Sequence, residues 1–166
     1  MELLEQYKKF PPSRYMGSKN KISKNLYKVF SEIDFKSALD LFSGSGAVSY
    51  LLKSMGKKVI SNDYMFFSSN ISKSIIENSS VKLNNSDINQ LLKIPKNYSR
   101  FVQQKFKGIF FSKNENDFID ITRHNIKKIN NKYKKSIAMS SLVKACQKKQ
   151  PRVIFTFVGK RYDDGR

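Results

Sequence analysis

The residues with chemistry to offer cluster in one stretch, Asp40-Leu41-Phe42-Ser43-Gly44-Ser45-Gly46-Ala47. Gly44 and Gly46 let the backbone turn sharply after a strand, and they leave no side chain between backbone and ligand. The helix that follows would aim free amide donors and the positive end of its dipole into the same crevice. Asp63 comes 17 residues after Gly46, where a second apolar run ends. A carboxylate there can accept hydrogen bonds from both hydroxyls of a ribose. Taken singly, Gly-Ser-Gly is a tight loop, and Asp63 is a solvated acid or the cap of the next helix. Taken together, they point to a pocket for an adenosine-containing cofactor.

Dinucleotide sites usually carry a third glycine three residues after the second, so that the helix can approach the sheet. Here that place is taken by Ser49. The reading therefore tilts from a dinucleotide to S-adenosylmethionine, which has no phosphate to cradle. Asp40 would orient the loop or meet the cationic methionine end of that cofactor; its plainer role is to accept from the loop amides. Ahead of the loop lies Arg14-Tyr15-Met16-Gly17-Ser18-Lys19. Tyr15 could pack against a ligand and Lys19 could pair with a carboxylate. On its own this segment is a basic turn before a helix.

The surrounding pattern supplies elements to hold these residues. Residues 1–13 read as a polar leader ending in Pro11-Pro12. Ser18 is a candidate N-cap for a helix over about 19–33, with Ile22, Leu26, Val29, Phe30 and Ile33 as its buried stripe. Lys36–Phe42 reads as a strand, 46–55 as a helix stopped by Gly56, Lys57–Asn62 as a second strand and Tyr64–Asn78 as a long helix. Helix–β–α–β–α with short connections predicts a parallel sheet. Weaker helical signals follow over Asp87–Ile94 and Tyr98–Phe106, with a helix entry at Phe110-Phe111-Ser112. Asn116–Asn130 and Ile137–Gln147 are clearer helices, and Val153-Ile154-Phe155-Thr156-Phe157 is a possible strand.

Composition bounds the reading. A chain of 166 residues suits one domain, and 32 Lys+Arg against 13 Asp+Glu leave a net charge of +19. Such an excess favours a polyanionic partner, because neutralising phosphates releases counterions. Translation of AT-rich DNA would also enrich Lys, Asn, Ile and Phe. The single cysteine, Cys146, excludes an internal disulfide, reads as a packed thiol, and suits a cytoplasmic protein. One histidine, His124, and no Cys/His cluster argue against a metal site. No apolar run approaches the roughly 20 residues of a membrane span, and the N-terminus is too polar for a signal peptide.

Arg14–Lys19, the loop Asp40–Gly46 and Ser61-Asn62-Asp63, in that order, resemble the α-group N6-adenine DNA methyltransferases, which include the DNA adenine methylases and many restriction-modification enzymes. The resemblance implies an α/β, Rossmann-like S-adenosylmethionine-dependent methyltransferase fold. It implies that Tyr15, Lys19, Asp40, Phe42, Gly44, Gly46 and Asp63 line the cofactor site, with Phe42 packed against the cofactor. Phe111-Ser112, Glu115-Asn116, Ile119-Asp120 and Arg123 look like the helix start preceding the target-recognition segment, and Ser141–Tyr162 looks like that segment's opening. In such enzymes the adenine leaves the duplex and the methyl group passes from the cofactor to its N6.

One part of the family pattern is missing. The catalytic loop reads Asp/Asn-Pro-Pro-Tyr/Phe, whereas the only adjacent prolines here are Pro11-Pro12, between Phe10 and Ser13. The expectation is an N-terminal portion of an adenine-N6 DNA methyltransferase (a truncated gene product, a split subunit or a fragment), with an incomplete parallel sheet and a mostly helical C-terminal segment. Residues 1–95 would bind cofactor and 96–166 would lead into target recognition. Double-stranded DNA would be the partner, touched by Arg152, Lys160 and Arg161, and a second chain could supply the catalytic loop. The chain alone would be inactive. Rival readings are a non-catalytic nucleic-acid-binding module and an RNA methyltransferase. A nicotinamide oxidoreductase is disfavoured by Ser49 and by the Arg14–Lys19 segment.

Overall fold

The computed structural model describes residues 4–11 and 15–149. The chain forms two compact units that divide between Val81 and Lys82.

The first unit begins with the short helix α1, Glu5–Lys8. The expected polar leader is in fact an anchor. Tyr7 and Phe10 are buried, their rings stack at 5.8 Å, and Tyr50 lies 6.1 and 5.3 Å from them. Two aromatics three residues apart fall on one side of a helical turn, which lets a short polar segment bury both. The expected helix over 19–33 is also corrected. A 3-10 turn, Lys19–Ile22, precedes α2, Ser23–Ser31. Ser18 does cap the turn, accepting from the Asn20 amide at 3.4 Å. Of the anticipated stripe, only Leu26 and Phe30 pack into the core, joined by Tyr27, whereas Ile22, Val29 and Ile33 are exposed. A stripe inferred from spacing shows which face is apolar, and neighbouring elements decide how much of it is covered.

Strands β1, Ser37–Asp40, and β2, Lys58–Ser61, pair in parallel with Ala38 opposite Val59 and Asp40 opposite Ser61. Helix α3, Ala47–Ser54, connects them and buries Leu51 and Leu52. Gly56 ends the connection at φ +76°, its amide bonded to the Lys53 carbonyl at 3.0 Å. The two strands form a two-stranded sheet. Its side facing α3 carries Ala38, Asp40, Val59 and Ser61. The other side carries Leu39 opposite Ile60, each 58% exposed. Helix α4, Phe66–Ser72, continues as a π-helical turn, Lys73–Glu77. The free carbonyls at that end are met by Lys53, whose Nζ donates to Ile75, Ile76 and Asn78 at 2.6–2.9 Å.

The second unit contains α5, Asn85–Leu92, α6, Phe101–Lys105, α7, Lys113–Lys127, and α8, Lys132–Lys149. Leu91, Val102, Phe111, Ile119, Ile126, Ala138 and Leu142 form its core, so α5 packs here. Cys146 packs against that core as expected, and burial pushes its thiol up. Caps set the helix starts more than apolar spacing does. Ser112 and Glu115 form a reciprocal capping box at the expected helix entry, so α7 starts at Lys113, ahead of the apolar stripe read from Asn116. Asn131 Oδ1 accepts from the Tyr133 and Lys134 amides, drawing the start of α8 back from the expected Ile137. Burial pushes Glu115 up, but hydrogen bonds from Ser112 and Lys149 outweigh it and hold its carboxyl at about 2.

Buried polar residues of α7 secure the neighbouring helix ends. Asp120 accepts from the amides of Val102 and Gln103, at 3.0 and 2.9 Å, in the first turn of α6. Asn125 donates to the carbonyls of Leu91 and Lys93 at the C-terminal end of α5. Arg123 approaches Asp120 at 3.7 Å and lies over the Phe101 ring. The possible strand 153–157 lies outside the described residues.

Candidate cofactor site

The parallel pairing of β1 and β2 brings both strand ends, and therefore Asp40 and Asp63, to one edge of the sheet. Past Asp40 the ladder continues irregularly: the Asn62 amide bonds to Asp40 O at 2.8 Å, and the Ser43 amide to Asn62 O at 2.9 Å. These bonds align the loop with the end of β2.

The loop then closes on three sides. Gly44 N donates to Asp63 Oδ2 at 2.7 Å, while Asp63 Oδ1 accepts from the Met65 amide at 2.8 Å. Asp63 thus grips both the glycine loop and the entry to α4. A carboxylate has about four acceptor positions, so both oxygens keep a free lone pair for a ligand hydroxyl. Tyr15 covers Gly44 from the other side. A Cβ on Gly44 would stand 3.1 Å from Tyr15 Cε1 and 3.2 Å from its Cζ and Oη. The Tyr15 ring is supported by Phe67 at 5.8 Å. The third tie is Ser18 Oγ to Ser45 Oγ, at 2.9 Å.

Both glycines have positive φ, +50° at Gly44 and +77° at Gly46. Gly46 is the residue before α3, and a Cβ there would meet Ile71 and Ile75 at an ordinary 3.7 Å. Its need for glycine is conformational, whereas Gly44 needs glycine for conformation and for space.

Of the residues singled out in the sequence, Tyr15, Gly44 and Asp63 are drawn together directly. Lys19 is exposed and follows Ser18, which ties its segment to the loop. Asp40 faces inward, accepting from Ser49 Oγ at 2.6 Å. Phe42 projects outward at 85% exposure, and Tyr64 stands beside Asp63 at 96%. Arg152, Lys160 and Arg161 lie outside the described residues. Spacing marked Ser18 only as a cap and Ser45 only as part of the loop, and gave Tyr64 no role beyond a helix start. Both serines lie inside motifs that spacing picked out, and only their contact across the chain shows that they tie the two motifs together.

Among the described residues, no three His, Cys, Asp or Glu side chains gather as a metal would require, and no helix is long and apolar enough to cross a membrane.

The sequence pattern of the D12 class N6 adenine-specific DNA methyltransferases matches residues 15–164. The chain belongs to that family. Its methyltransferase relatives include the Type II methyltransferase M2.HphI of Haemophilus parahaemolyticus, 30% identical over 148 residues. That alignment covers 89% of this chain and 44% of the relative, so the chain spans less than half the relative's length. No solved structure matches. The D12 match begins at Tyr15, the residue that closes over Gly44, and takes in the whole loop and Asp63.

Proposed function

We propose that this D12-family chain binds S-adenosylmethionine on a Rossmann-like half-site and serves adenine-N6 methylation of double-stranded DNA in a restriction-modification system. The observation that carries the reading is the convergence of Tyr15, Gly44 and Asp63 at the end of two parallel strands. Such an end is where open α/β sheets take ligands. The residues fit the group: Tyr15 packs on Gly44 to make one wall, and Asp63 keeps acceptor capacity for hydroxyls.

Each residue has a distinct task. Gly44 gives Tyr15 room to close over the loop, and Gly46 supplies the left-handed turn into α3. Asp63 receives the cofactor's ribose hydroxyls, and Tyr15 and Phe42 give it apolar contact. Lys19 meets its carboxylate, and Asp40 orients the loop. When bound, the cofactor supplies a methyl group made electrophilic by its sulfonium. Residues 1–95 hold this site, and 96–166 lead toward DNA, with Arg152, Lys160 and Arg161 on phosphates. The Asp-Pro-Pro-Tyr type loop that holds the target amine in the resembling enzymes has no counterpart among the four prolines of the chain. A segment bearing that loop would complete the centre, and the reading places the protein in the cytoplasm.

Isothermal titration tests the reading. The folded chain should bind S-adenosylmethionine, and Asp63→Ala should weaken binding by at least about tenfold, the worth of hydrogen bonds to a charged group. No binding heat from a folded sample refutes the cofactor assignment. The chain alone should transfer no labelled methyl to DNA; transfer would refute the need for a partner loop.

A further inference from the structure

Beneath the glycine loop lies a chain of hydroxyls that neither the family match nor the loop motif accounts for. Ser49 Oγ donates to Asp40 Oδ2 at 2.6 Å. Ser49 Oγ is also 3.0 Å from Ser61 Oγ, Ser61 Oγ is 3.0 Å from Ser72 Oγ, and Ser72 Oγ is 3.2 Å from Ser43 Oγ. Four elements are joined: the end of β1 through Asp40, α3 through Ser49, β2 through Ser61 and α4 through Ser72. The series ends at Ser43, the residue before Gly44. Ser43, Ser49 and Ser72 are buried.

The direction of the series follows from proton counting. A hydroxyl carries one hydrogen, and a carboxylate can only accept. The hydrogen of Ser49 is committed to Asp40. The contact between Ser49 and Ser61 therefore needs the hydrogen of Ser61. The next contact then needs that of Ser72, and the last needs that of Ser43. Any other arrangement leaves two lone pairs facing each other in a buried place, where an unmade hydrogen bond is costly. All four hydroxyls thus point their hydrogens toward Asp40 and their oxygens toward the loop. Hydrogen bonds in series polarise one another.

We infer that Asp40 is a positioning residue that acts on the cofactor loop through Ser49, Ser61 and Ser72, presetting Ser43 Oγ as an acceptor. A loop with that polarity favours a cationic ligand over a neutral or anionic one. This rests on the S-adenosylmethionine reading, and it gives the methyl donor, with its sulfonium charge, an advantage over the neutral thioether S-adenosylhomocysteine.

The test uses the full chain, first without ligand. Asp40→Asn and Ser72→Ala should shift the backbone amide resonances of Ser43, Gly44 and Gly46 in the same sense. The pair of changes should shift them no further than Ser72→Ala does. Ser72→Thr, which keeps the hydroxyl, should leave them in place. With ligands, both variants should weaken S-adenosylmethionine relative to S-adenosylhomocysteine, by up to roughly tenfold, the scale of one charge-assisted hydrogen bond. A purely structural role would weaken both ligands equally. Ser61→Ala, a second break in the same series, stands in should Ser72→Ala fail to fold. Additive resonance shifts in the pair, or an unchanged ligand ratio in folded variants, overturn the proposal. If the unsubstituted chain binds neither ligand while the ligand-free shifts behave as stated, the cofactor reading falls and the hydroxyl relay stands.

Discussion

Gly44→Ala probes the closed loop most directly. At φ +50° the backbone is left-handed, a conformation that costs an alanine roughly 1–2 kcal/mol. The new methyl would also stand 3.1–3.2 Å from three atoms of Tyr15. That ring cannot swing freely, because Phe67 packs against it at 5.8 Å. Displacing it by a few tenths of an ångström adds a second cost, of the order of the 1–3 kcal/mol seen when a packed region is overfilled. Gly56→Ala supplies the control. Its φ is +76°, yet nothing lies within 4 Å of its added Cβ, so it incurs the conformational term alone. The chain has no tryptophan, so urea unfolding is best followed by circular dichroism. Gly44→Ala should cost about 1–3 kcal/mol more than Gly56→Ala. The excess should largely vanish in a Tyr15→Ala background. Equal costs for the two glycines, or an excess that survives removal of the Tyr15 ring, would refute the claim that Tyr15 seals the loop.

Two further outcomes concern the second unit. Asp120→Asn leaves one of the two α6 amides facing an NH2 with no acceptor at a buried place, and should cost about 2–3 kcal/mol in the same unfolding assay. For Glu115, the folded carboxyl sits at about 2 against an ordinary 4.5, so the capping box contributes stability above pH 4.5 and loses it as pH falls toward 2. Acid titration followed by circular dichroism should therefore show a shallower loss for Glu115→Gln than for the unsubstituted chain. Equal slopes would remove Glu115 from the acid response.

Much of the first unit was legible in the sequence because its signals are local. The apolar runs around Leu39 and Ile60, the glycines after Asp40 and the stop at Gly56 each depend on a few adjacent residues. They located β1, α3 and β2 to within a residue or two. The second unit was harder to read, because its helix starts are set by side chains. Ser112 with Glu115 and Asn131 determine where α7 and α8 begin, and capping outweighs apolar periodicity there. Tyr7 and Phe10 were hidden in a stretch of low mean hydropathy, although both are core residues.

For the site, the sequence by itself determined which residues lie at the two strand ends and that glycine must sit between them. Those properties follow from order along the chain and from backbone conformation. Tertiary structure alone decided what touches what. The ring of Tyr15 reaches Gly44 across a separation of 29, and Ser18 reaches Ser45 across one of 27. Folding also turned Asp63 into the clasp of the loop and turned Asp40 inward onto Ser49, two acids that look alike in the sequence. No pattern of spacing encodes the hydroxyls of Ser49, Ser61 and Ser72, because their roles arise when three separate elements pack and each buried polar group must find a partner.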